Sequence, residues 1–183
     1  HASCAPKEWH LPVPPHGAAE GEAELHLNSA NPTVATASAD FVAAARDAEG
    51  WEGQRWDGTL RRPVTTLDAL IARHGLPHFA KLDVEGYEAR ILAGAGKLLA
   101  RPGLRAVLVE TMAHAERYGD STRRIDDLLR AQGFAPFDYD PRRRALTLRD
   151  APGDPNTLYL RQVNAVAARL ATAPAITLLG ERF

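Results

Sequence analysis

The 183-residue sequence contains a single cysteine, Cys4, and this scarcity limits the chemistry that the chain can perform. One cysteine forms no disulfide within the chain and supplies no multi-cysteine zinc site. Its rarity is compatible with a reducing compartment, and we predict a cytoplasmic location. Charge of either sign is not in excess: 22 Lys and Arg against 23 Asp and Glu leave a net charge of −1. Because nucleic-acid binding requires an excess of positive charge, we expect no nucleic-acid partner.

Long apolar runs are also missing. No uninterrupted apolar stretch approaches the ~20 residues that a membrane-spanning helix requires, so we expect no membrane partner. The histidine spacing offers no metal motif either. His74 and His78 are four residues apart, but Gly75 and Pro77 break a helix between them. We therefore expect no metal site.

The sequence does contain alternating strand and helix patterns. Strands are predicted at residues 22–28, 79–84, 105–111, 134–139, 146–148 and 156–160, with a short extended piece at 62–64. Helices are predicted after Ser38 and Thr65, over 87–100, after Ser121, and along the stripe of Val163, Val166 and Leu170. The order strand, helix, strand, helix, strand in the middle predicts an α/β fold with a mostly parallel sheet. The last strands predict an antiparallel addition at the C-terminal edge.

Two of the predicted strands end in carboxylates, Asp83 and Glu110. Ligands of open α/β sheets bind beyond the carboxyl ends of the strands, so Asp83 is a candidate functional residue. Glu110 is a weaker candidate, because it could equally form an ion pair with Lys81 or Arg105. His114 follows Glu110 and is either a base near the site or an ordinary loop histidine.

Each of three other features has two possible interpretations. Glu85 and Glu88 fall in the first turn of the predicted helix, where carboxylates also simply suit the helix dipole. Trp51 and Trp56, in a loop between glycines, either line a substrate pocket or pack in a core. The basic turn at 142–144 is either solvated or a phosphate clamp.

Three segments carry a resemblance to a known family: residues 63–70 (PVTTLDAL), 81–88 (KLDVEGYE) and 92–95 (LAGA). In this order and spacing they resemble the FkbM family of S-adenosylmethionine-dependent methyltransferases, in which V-T-T-L-D-x-L is followed by K-x-D-V-E-G-x-E and L-x-G. The similarity extends over residues 17–162 and includes the strands at 21–25 and 156–160.

The resemblance implies a Rossmann-like methyltransferase sheet, with residues 79–84 as its fourth strand, and S-adenosyl-L-methionine as the cofactor. Asp83 would then face the methyl donor or the acceptor. On this basis the candidate catalytic residues are Asp83, Glu110 and His114. The candidate cofactor-binding residues are Asp83, Glu85 and Asn31.

The sequence departs from the family in one respect. The glycine-rich loop with which such enzymes approach the cofactor is not recognisable, and Gly94-Ala95-Gly96 falls inside a predicted helix. We therefore expect an irregular segment at residues 1–20 and, at 21–183, a partial Rossmann-like domain that lacks its N-terminal strands. The chain is then either a fragment or a degenerate relative.

These observations lead to two functional hypotheses. The first is S-adenosylmethionine-dependent O-methylation of a hydroxyl group on a small molecule or saccharide. The alternative is a non-catalytic or degenerate methyltransferase-like binding module. The strand at 79–84 would expose an unpaired edge in a partial domain, which predicts self-association, for example as a homodimer.

Overall fold

The computed structural model describes residues 17–46, 48–84, 86–111, 122–153 and 155–182. The strands are β1 (Gly21–Asn28), β2 (Trp56–Val64), β3 (Phe79–Leu82), β4 (Ala106–Glu110), β5 (Ala135–Asp140), β6 (Ala145–Leu148), β7 (Asn156–Leu160), β8 (Thr177–Leu178) and β9 (Glu181–Arg182). The helices are α1 (Ala39–Ala45), α2 (Leu67–His74), α3 (Glu88–Ala93), α4 (Gly96–Leu99), α5 (Thr122–Arg130) and α6 (Val163–Thr172), and a 3₁₀ turn covers Pro32–Val34.

The main sheet has five strands in the order β3-β4-β7-β5-β6. Among the described strands of this sheet, only β3 and β4 pair in parallel, whereas β7 is antiparallel to both β4 and β5, and β6 is antiparallel to β5. The prediction of a mostly parallel sheet is therefore wrong, although the α/β class is confirmed. The error arises because β7 inserts between β4 and β5, where it runs opposite to both. The predicted antiparallel addition at one edge comprised residues 134–148 and 156–160. β5 and β6 do form one edge, but β7 lies inside the sheet.

One face of this sheet is covered by helices and forms the core. Val107, Val109 and Tyr159 point to this face and are fully buried. They pack in one cluster with apolar side chains of α3, α4 and α5: Ala89, Ile91, Leu92, Leu98, Leu99, Ile125 and Leu129. Side chains alternate along a strand, so Leu108, Phe137 and Tyr139 point to the opposite face. That face also carries Lys81, Asp83 and Glu110.

The predicted helix at 87–100 consists of two short helices, α3 and α4, joined at Gly94 and Ala95. Gly94 lies so close to Ala18 that a Cβ atom there would meet the Ala18 backbone at 2.5 Å. The oxygens of Asp68 accept hydrogen bonds from Lys97 N at 3.0 Å and Leu98 N at 2.7 Å. Asp68 thus caps α4, while Thr66, and not Thr65 as predicted, caps α2.

The strands β1 and β2 form a separate antiparallel pair. The prediction of β1 is confirmed, but the sequence predicts only the last three residues of β2. Trp56 opens β2, and with Phe41 and Trp51 it forms a small aromatic cluster, in which the ring centroids of Phe41 lie 5.2 Å from Trp51 and 6.0 Å from Trp56. The two tryptophans therefore pack in a core, which was one of the two interpretations of the sequence.

Candidate functional site

The ends of β3 and β4 bring the two strand-end carboxylates side by side. Leu82 of β3 lies opposite Val109 of β4 in a parallel register. One residue further along each strand, Asp83 and Glu110 occupy neighbouring positions on the same face of the sheet. The sequence predicts that both residues end strands of an α/β sheet, and the parallel register of β3 and β4 places them next to each other.

Lys81 joins the same group of charges. It lies two residues before Asp83, so both side chains point to one face, and its Nζ donates a hydrogen bond to Asp83 Oδ2 at 2.6 Å. The hydrogen bond to Asp83 and the charges of Asp83 and Glu110 raise the pKa of Lys81 above its ordinary value. The ammonium group therefore stays protonated and fixes one oxygen of Asp83. The sequence could have indicated this pair, because a spacing of two residues in a strand places side chains together.

The loop after Asp83 is held by Glu88. This residue is almost fully buried, and its Oε1 accepts a hydrogen bond from Val84 N at 2.8 Å. Gly86 takes a φ of +87°, which favours glycine and allows the chain to turn into α3. Glu88 thus positions the end of β3, and its role is more than that of a charge that suits the start of a helix.

The end of β4 is fixed by threonines. Thr111, which follows Glu110, is buried, and its hydroxyl donates to Gly153 O at 2.9 Å. The hydroxyls of Thr111 and Thr157 lie 2.6 Å apart, and Thr111 N donates to Pro155 O at 2.6 Å. These bonds tie β4 to the start of β7, and no sequence pattern predicts them because the residues are far apart in the chain. Glu110 is half-buried on this rigid support, with its Oε2 atom out of contact with solvent.

The other predicted site residues lie elsewhere. Asn31 follows β1 in the two-stranded sheet, where its Oδ1 accepts hydrogen bonds from Thr33 N at 3.2 Å and Thr33 Oγ1 at 2.7 Å. It caps the 3₁₀ turn, and its contact with a cofactor stays a prediction. Glu85 and His114 lie outside the described residues.

Within the residues that the structure describes, no three His, Cys, Asp or Glu side chains come together as a group that could hold a metal ion. In the same part of the chain, none of the helices has the length and apolar character needed to cross a membrane.

Comparison with known protein families shows to which family the chain belongs. The model of the methyltransferase FkbM domain matches residues 12–136, more than half of the chain. The chain belongs to the FkbM methyltransferase domain family. No curated protein and no solved structure matches it.

Membership of the FkbM family supports methyl transfer as the general activity and implies a Rossmann-like fold. The matched segment includes Asp83 and Glu110 and ends at the second residue of β5. It also includes the motif residues whose structural roles are described above: Asp68 caps α4, Glu88 holds the loop, and Gly94 allows the close approach of Ala18. Of these motif positions, Glu88 holds the end of β3, while Asp68 and Gly94 serve the packing of α4 and the joint before it.

Proposed function

We propose that the protein transfers a methyl group from S-adenosylmethionine to a hydroxyl oxygen of a small molecule or saccharide. The observation that carries the proposal is the pair of neighbouring carboxylates, Asp83 and Glu110, at the ends of the parallel strands β3 and β4. The FkbM family match over this segment supports it.

The chemistry of these residues fits the cofactor. S-adenosylmethionine carries a sulfonium cation, an ammonium group and ribose hydroxyls, and carboxylates attract such cations and accept hydrogen bonds from such donors. Asp83 would hold it, and Glu85 and Asn31 stay predicted contacts. When bound, it supplies the electrophilic methyl group.

In the proposed reaction, the residues of this chain accept a proton and hold the base that accepts it. Asp83 accepts the proton of the acceptor hydroxyl, with Glu110 and His114 assisting. Lys81 binds Oδ2 of Asp83, so Oδ1 is the oxygen presented to the acceptor. Proton removal by a positioned base contributes typically about 10²–10⁴-fold to a rate, and alignment of the reactants contributes further.

One observation favours the second candidate function, a non-catalytic binding module. The pair of Lys81 and Asp83 is partly exposed, with side-chain exposures of 52% and 39%, and such pairs also occur as ordinary surface ion pairs. In this case Asp83 would serve only to stabilise the strand end.

The test is an assay with S-adenosylmethionine labelled in its methyl group. The full-length protein is incubated with a panel of acceptors that carry hydroxyl, amine or carboxyl groups, and labelled products are separated and treated with mild alkali. We expect label on hydroxyl acceptors in an alkali-stable ether. Cofactor binding without transfer to any acceptor would support the binding module instead, and alkali-labile label would indicate carboxyl acceptors. The cytoplasmic location and the homodimer stay predictions.

A further inference from the structure

An apolar cleft lies between the β5–β6 hairpin and the end of α6. Its volume is about 560 Å³, within the range of small-molecule pockets. Seven of the described residues line it: Tyr139, Pro141, Arg144, Leu170, Ala173, Pro174 and Ile176. Six of these seven side chains are apolar or aromatic, and Tyr139 and Ile176 remain 39% and 56% exposed. An apolar concavity of this size with exposed walls is typical of a binding site.

Among the lining residues that the structure describes, Arg144 is the one cation. Its Nη1 donates hydrogen bonds to the carbonyl oxygens of Leu170 at 3.2 Å and Ala173 at 2.6 Å, so it fastens the end of α6 to the hairpin. Arg142 and Arg143 precede it in the same turn, which is shaped by hydrogen bonds from both of their backbone N–H groups to Asp140 Oδ1. Arg143 Nε pairs with Asp140 Oδ2 at 3.7 Å, so the turn carries three arginines beside one aspartate, and Arg144 brings its positive charge to the wall of the cleft.

The cleft lies at the edge of the sheet where ligands of α/β proteins bind, beyond the carboxyl ends of the strands. Because β7 is antiparallel to both β4 and β5, these two strands run in the same direction, and the end of β5 lies at the same edge of the sheet as Glu110. Tyr139 also points to the face that carries Asp83 and Glu110. Three strand spacings separate β3 from β5, a distance of about 14 Å. The lining residues all lie beyond residue 136, where the family match ends.

We propose that this cleft binds a small amphiphilic anion, an apolar hydrocarbon chain that ends in a carboxylate. The hydrocarbon chain packs against Leu170, Pro174 and Ile176, and the carboxylate lies at the arginine turn. Burial of apolar surface contributes about 25 cal/mol per Å², and the arginine charge sets the preference for an anion over a neutral ligand. The proposal concerns binding and does not depend on methyl transfer.

The experiment is a calorimetric titration of the full chain with decanoate, below its micelle concentration, and with decanol as the neutral counterpart. We expect decanoate to bind at least about tenfold more tightly than decanol at low salt, with the difference shrinking at high salt because the attraction is screened. Equal affinity for the two ligands would overturn the proposal.

A matched pair of variants locates the site. Ala173→Phe adds a ring to the lining of the cleft and should weaken decanoate binding by at least about tenfold. Ala168→Phe adds the same ring to an exposed position of α6 outside the lining and should leave binding unchanged. Because both alanines are exposed, we expect both variants to fold, which circular dichroism checks. Equal binding by the two variants would place decanoate elsewhere and overturn the proposal.

Discussion

At the scale of single residues, the site depends on how side chains alternate along two short strands. Asp83 and Glu110 come together because each follows the last buried position of its strand. Their places at strand ends were predicted from the sequence, whereas their adjacency follows from the register of β3 and β4. The bond from Lys81 to Asp83 follows from the same alternation. The roles of Glu88 and Thr111 were not predictable in this way, because their partners depend on how the loops after the strands are folded.

Arg161 provides a prediction at this scale. Its guanidinium donates to the carbonyl oxygens of Leu104 and Leu99, each at 2.6 Å, and to those of Gln132 and Arg101. It also lies over the ring of Phe134, with Cζ 4.4 Å from the ring centroid, and burial lowers its pKa from the ordinary value. Arg161→Met removes these donors, and we expect the free energy of unfolding in urea to fall by about 2–3 kcal/mol.

The control for Arg161 is Arg123→Met. Arg123 pairs with Asp127 at 3.9 Å on the exposed side of α5, with side-chain exposures of 90% and 71%. An exposed pair contributes little, so the change should stay within about 0.5 kcal/mol. Equal losses from the two substitutions would show that Arg161 does not hold these loops together.

At the scale of elements, the sequence patterns predicted where strands and helices lie better than they predicted the direction of the strands in the sheet or the break between α3 and α4. The apolar runs at β3 and β4 and the stripe of α5 were recognisable because each places apolar side chains in the core, and the stripe of α6 was recognisable although it is only half-buried. β2 was predicted only over its last three residues, because Gly58 is unfavourable in a strand and the pair with β1 buries little apolar surface. The antiparallel insertion of β7 depends on tertiary pairing, which no local pattern records.

The joint between α3 and α4 provides a prediction at this scale. Gly94→Ala places a Cβ 2.5 Å from the Ala18 backbone, and backbone cannot move as a flexible side chain can. We expect a loss of about 1–3 kcal/mol in the free energy of unfolding, measured by urea denaturation.

Gly96 is the matched control for Gly94. A Cβ at Gly96 meets nothing within 4 Å, and the residue opens α4. Gly96→Ala should therefore be neutral or stabilise the protein by up to about 1 kcal/mol, because alanine favours the helix. If both substitutions had the same effect, close packing of Gly94 on Ala18 would not be the reason for the glycine.

At the scale of the whole molecule, β3 is an edge strand of the described five-stranded sheet, and it pairs there only with β4. Phe79 on this strand is 52% exposed. An exposed edge with an apolar side chain pairs readily with another chain. We expect the 183-residue chain to show a mass in light scattering that rises with concentration, and Phe79→Lys to reduce that rise.

The opposite edge of the sheet serves as the control for this prediction. Leu148 lies on β6 and is 62% exposed. Leu148→Lys should leave the association unchanged if β3 is the edge that pairs. A monomeric mass at every concentration, or an equal effect of both substitutions, would contradict the prediction.

The proposed role of Asp83 is tested by the methyl-transfer rate of the full-length protein carrying Asp83→Asn. The variant keeps the shape of Asp83 but removes its ability to accept a proton, so kcat should fall by about 10²–10⁴-fold. Asp138→Asn is the matched control, because Asp138 also forms an exposed ion pair on the sheet, with Arg149 Nη1 at 2.8 Å, and should leave kcat unchanged. Both variants should unfold at the wild-type temperature. Wild-type turnover by a folded Asp83→Asn protein would contradict the account.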